Sequence, residues 1–259
     1  MKRSSGARLS ATAAVSVLSL ALITGCSDEG SEDSAKSGSS SSPTAAAKAY
    51  SAAELEKLLL ADGDIEGYKV TSGDDTLPKS KSVLKIDKAE CEPFAHAMAA
   101  LPPGDTDASA SNTVTQAAPS GDASKSLEDL AEGDFSDAFN INATYVGLSS
   151  YEGDGAEKAF KAVSDGGTAC AGGFGYTAEG TATKVTKITP EKASGAGDES
   201  VAYTVESEAG GETGTVHTEV VRHGNTIASY YTVNLALMGT GKPYDVPAEV
   251  IDGQAAKLK

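Results

Sequence analysis

Four stretches in the second half of the chain, TATKVTKI (181–188), SVAYTVE (200–206), GTVHTEVV (214–221) and NTIASYYTV (225–233), set β-branched and aromatic residues at alternate positions between glycines. A period of two is the repeat of a β-strand, whose successive side chains point to opposite faces of a sheet. Gly224-Asn225 and Gly210-Gly211 are two-residue loops of the hairpin kind, so the last three stretches predict an antiparallel meander. NINATYVGL (140–148) and YKVTS (68–72) carry the same signature earlier in the chain. The intervening stretch 101–125 mixes Pro, Gly and Ser and predicts a surface loop with one short strand around NTVTQAA.

Helical signals bracket these strands. Ser51 and Glu54 make a capping box ahead of Leu55, Leu58 and Leu59, which fall on one helical face. Asp87 with Glu90, and Asp154 with Glu157, repeat the spacing before Cys91 and before Phe160 and Val163. Near the end, Pro247 suits a first helical position, and Val250, Ile251, Gln254 and Leu258 share a face. Helices before and after a run of strands predict an α+β fold, an antiparallel sheet with helices packed mainly on one face.

The amino-terminal 25 residues have a different logic. Lys2, Arg3 and Arg8 precede an uncharged run from Ala11 to Ile23, the layout of an export signal, and the run is shorter than the roughly 20 apolar residues a membrane span needs. Ile23-Thr24-Gly25-Cys26 resembles the bacterial lipobox. That resemblance implies a signal peptide over residues 1–25 and a diacylglyceryl group, with its palmitate-type chains, on the Cys26 thiol. It implies a lipoprotein held at the extracytoplasmic face of the cell membrane, since two acyl chains anchor stably where one is marginal. Residues 27–50, rich in Ser, Gly, Ala and acid, predict a disordered tether with a reach of roughly 25 to 30 Å. Residues 51–259 then form a single domain.

Cleavage before Cys26 removes three of 21 basic residues and none of the 37 acidic ones, taking the formal net charge from −16 to −19. Such a surface excludes nucleic acid as a partner. Cys91 and Cys170 remain as an even pair in a compartment where disulfides persist, and the Cys-x-x-Cys spacing of a reactive pair is absent. A disulfide is the expectation.

Little in the sequence points to catalysis. GLSSYEG places Tyr151 where a nucleophile turn needs its second glycine, and GTGKPY lacks the first glycine of a phosphate loop. His217 and His223 share strand parity but lie six residues apart, roughly 20 Å along a straight strand, too far to hold one ion. Asp62, Asp64 and Glu66 stand at alternate positions before Gly67 in the manner of a calcium loop, yet the twelfth position is Gly73, with Asp74 one residue late. These three are the calcium candidates; a solvated turn is the competing reading. No cofactor is predicted.

Taken together, AAELEKLLLADGDIEGY, AGDESVAYTVE, VVRHGNTIASYYTVNLA and PAEVIDGQAAKLK resemble segments of actinobacterial (Streptomyces-type) lipoproteins related to the extracellular sensor domain of PknH-type kinases. The resemblance implies an α+β sandwich with a ligand cleft beside its sheet. It departs from that group in offering one cysteine pair where two disulfides are typical. The functional expectation is a non-catalytic, sensor-like module binding an envelope protein or a cell-wall ligand; the alternative is a cell-wall hydrolase or lipid carrier. An apolar pocket lined from sheet and helices would fit a carrier, and a shallow polar cleft a binding module.

Overall fold

The alternating stretches become strands of one antiparallel sheet in the computed structural model, which describes residues 49–72, 77–117, 140–234, 236–240, 242 and 244–259. Nine strands take part: β1 (Tyr68–Ser72), β2 (Leu84–Ile86), β3 (Ser109–Gln116), β4 (Asn142–Ser150), β5 (Phe174–Ala178), β6 (Thr181–Glu191), β7 (Glu199–Ala209), β8 (Glu212–His223) and β9 (Thr226–Asn234). Their order across the sheet is β1-β3-β4-β9-β8-β7-β6-β5-β2. The meander β7-β8-β9 forms as its turns require, with Gly210 (φ 62°) and Gly211 (φ 87°) in the left-handed region that a tight hairpin demands.

Four α-helices lie among the described residues: α1 (Ala52–Leu58), α2 (Glu92–Met98), α3 (Gly155–Ala169) and α4 (Ala248–Lys257). The capping box of Ser51 and Glu54 starts α1. The other two capping patterns are not used. Lys88 opens a short 3₁₀ turn that leads into α2, and Asp154 precedes α3 without a side-chain cap, pairing instead with Lys158 at 2.8 Å.

The α+β fold with an antiparallel sheet is as the sequence predicts, but the helices divide between its two faces. Phe94 of α2 and Val163 of α3 pack with Val205, Val216, Val220 and Ile227. Leu55 of α1 and Val250 and Ile251 of α4 pack with Val114, Val146, Val221, Ala228 and Tyr230. Val220 and Val221 are consecutive in β8, so they point to opposite faces, and each belongs to a different core. Burial on both sides leaves six consecutive residues of β8, Val216 to Val221, out of solvent.

The expected surface loop also differs. Its short strand is β3, eight residues long and paired on both sides, with Asn112, Thr113 and Val114 buried. The predicted strand is present, and it is its burial that the polar side chains conceal; a hydrogen bond makes that burial tolerable, as Asn112 donates through Nδ2 to the Leu60 carbonyl at 2.7 Å. Cys91 and Cys170, at the start of α2 and the end of α3, are joined, Cα to Cα 6.0 Å. The bond staples the helix pair that covers one face.

Candidate functional site

Residues 174, 176 and 178 of β5 share one parity and face α2, as does Leu84, the partner of Ala178 on β2. Where β5 approaches α2, small residues stand beside large ones, and a cavity of about 360 Å³ opens between helix and sheet. Ala95, Met98 and Ala99 of α2 form one wall. Phe174, Tyr176 and Ala178 of β5, Leu84 of β2 and Tyr231 of β9 form the other, with Leu77 and Pro78 beside them.

The polar side chains at this cavity are few. Glu179, in the β5–β6 turn with φ 49°, and Thr181 are its non-aromatic polar residues, while the phenol of Tyr231 is held neutral to high pH by burial. Most of the lining side chains are apolar, as is usual for a small-molecule site, although polar and apolar atoms present about equal surface to the cavity; the volume lies toward the small end of the range for such sites.

The histidines do not converge. His96 of α2 is buried, and burial with the nearby Lys81 ammonium pushes its imidazole down to about 4. His223 ends β8; burial lowers its pKa, with Asp198 opposing, and its Nε2 has no partner among the described residues. His217 lies on the α1/α4 face of β8. Its Nδ1 is 3.1 Å from Glu191 Oε2, and its ring meets that of Tyr244 edge to face at 4.5 Å.

The calcium candidates serve the chain itself. Asp62 Oδ1 accepts from the Val70 amide at 3.1 Å, and Asp64 Oδ2 accepts from the Ala61 amide at 2.8 Å and from Lys257 Nζ at 2.6 Å. The Lys257 contact holds the Asp64 carboxyl below its ordinary range. Asp62, Asp64 and Glu66 do not converge as a set of three ligands. Gly73, Asp74 and Cys26 lie outside the described residues.

Sequence reasoning did not find the cavity, whose lining comes from segments spread between residues 77 and 231. The small residue at Ala178 amid the aromatic alternation of FGYTA was a local trace of it.

No protein-family model matches the chain, and no curated protein matches it significantly. Two solved structures align over most of it. The extracellular domain of PknH from Mycobacterium tuberculosis is 13% identical, covering 82% of this chain and 95% of that one with a TM-score of 0.43. An uncharacterised protein from Mycobacterium smegmatis, the Rv0999 ortholog, is 16% identical, covering 80% and 93% with a TM-score of 0.32. At scores this low neither alignment fixes a common fold.

Proposed function

We propose that the chain is a surface lipoprotein, tethered through Cys26 at the extracytoplasmic face of the membrane, whose domain is a non-catalytic module that binds a small apolar ligand. The cavity between α2 and β5 carries this reading, because the apolar side chains that make up most of its lining come from both helix and sheet. The Cys91–Cys170 disulfide fits an oxidising compartment. An apolar lining also favours a carrier of lipid fragments, and a volume of about 360 Å³ restricts that carrier to pieces smaller than a whole membrane lipid. A role as a sensor follows if ligand entry moves α2.

The test is titration of the full chain with 1-aminoanthracene, a neutral apolar fluorophore. Saturable one-to-one binding that is lost in Ala178→Phe, which fills the cavity without disturbing the strand, is the expected result. Equal binding by both proteins would place the ligand elsewhere and defeat the proposal.

A further inference from the structure

On the opposite face of the sheet, three potential metal ligands from separate elements meet: Glu191 at the end of β6, His217 in the middle of β8, and Asp245 in the segment leading to α4. One ligand atom from each lies within 4.8 Å of the other two. We infer that these residues form a site for a first-row divalent cation, zinc being the ion that suits them best.

The donor set argues for zinc. Calcium and magnesium take oxygen ligands, whereas a neutral imidazole with two carboxylates matches zinc, which accepts three protein ligands and leaves a fourth position to water. Two ligands on one tetrahedral zinc sit about 3.3 Å apart, given bonds of about 2 Å. His217 Nδ1 and Glu191 Oε2, at 3.1 Å, are already near that separation. Asp245 is exposed, so rotation of its side chain can close the remaining gap.

The surroundings hold the ligands in place. His217 is 5% exposed and fixed in the interior of β8. Thr204, on the strand between, donates its hydroxyl to Glu191 Oε1, leaving Oε2 directed at the imidazole. Tyr244 lies against the His217 ring and donates its hydroxyl to the Thr215 carbonyl, which secures the backbone next to Asp245. Partners of this kind orient metal ligands and tune their affinity. Neither Glu191 nor Asp245 pairs with a lysine or arginine among the described residues, so two carboxylates converge on one histidine with no other cation between them.

Isothermal titration of the full chain carrying Cys26→Ser, which removes a competing thiol, with zinc chloride tests the site. One zinc per chain is expected, with affinity about 10- to 100-fold weaker in His217→Gln and in Asp245→Asn. Asp245 is exposed, so the second variant keeps its fold, to be verified by circular dichroism. Unchanged zinc affinity in Asp245→Asn, no binding by the parent chain, or displacement of zinc by millimolar calcium would each overturn the assignment. Because site and apolar cavity lie on opposite faces, zinc binding and 1-aminoanthracene binding fail or succeed separately.

Discussion

Gln254 of α4 closes the end of α1: its Oε1 accepts from the Leu60 amide at 3.1 Å, and its Nε2 donates to the Leu58 carbonyl at 2.7 Å. The side chain is wholly buried. Replacing it with leucine strands both backbone groups, each at a cost of about 1–3 kcal/mol. Gln254→Leu should therefore lower stability by about 2–6 kcal/mol in urea unfolding, while Ala256→Gln, on the exposed side of the helix, should stay within about 0.5 kcal/mol of the parent.

Cys91 and Cys170 close a loop of 79 residues. Opening it should cost about 2–5 kcal/mol, which at about 2–4 °C per kcal/mol for a domain of this size is a fall in Tm of several degrees or more. The meander β7-β8-β9 lies outside the loop and should keep its circular-dichroism signal. Thiol titration of the unfolded, unreduced chain should find neither cysteine free; two reactive thiols from this pair would refute the bridge.

His96 should make the domain acid-sensitive. Its imidazole is held down to about 4 in the fold, first by burial and then by Lys81, against 6.5 ordinarily. Between those pH values the unfolded chain takes up a proton that the native one refuses, so stability falls as pH drops from about 6.5 to 4, by up to about 3 kcal/mol. His96→Gln should flatten that slope, leaving the part contributed by His223, whose imidazole burial also lowers. Parallel stability curves for the two proteins over this interval would contradict the assignment.

Gly147 of β4 lies under the end of α2, where an added Cβ would stand 2.4 Å from the Ala100 carbonyl oxygen. Gly147→Ala must push that end of the helix away, at about 1–3 kcal/mol. Ala99, next to the displaced residue, lines the cavity. The variant should therefore bind 1-aminoanthracene differently from the parent as well as melt earlier.

If Cys26 carries the lipid, Cys26→Ser should move the protein from the membrane fraction to the soluble one or stall its processing. Mass spectrometry finding an unmodified mature amino terminus on the wild-type chain would dispose of the anchor.

The meander was legible because alternation and glycine turns are local signals. The two-faced arrangement of helices was less so. Its trace was the adjacent pairs Val220-Val221 and Tyr230-Tyr231, where a sheet with one solvated face would alternate. β3 was legible as a short strand around NTVTQAA but not as a buried one, because SASNTVTQ is polar and only the fold supplies its partners, such as the Leu60 carbonyl for Asn112. The carboxylates of the 62–66 stretch have readable spacing, but Lys257, which claims Asp64, lies 193 residues away. Glu191, His217 and Asp245 belong to no common motif, so nothing local in the sequence joins them.

The sheet order has a consequence for how the molecule is made. β9 hydrogen-bonds to β4 on one side and β8 on the other, so the strand that joins the two halves of the sheet is the last to leave the ribosome. Until Asn234 has emerged, β1, β3 and β4 have no hydrogen-bonded link to β5–β8. Pairing β4 with β9 spans more than 75 residues, and non-local pairings of this kind slow folding. A nascent chain can therefore pair β1-β3-β4 and β2-β5-β6-β7-β8 separately, but the sheet is completed at its centre, and completed late.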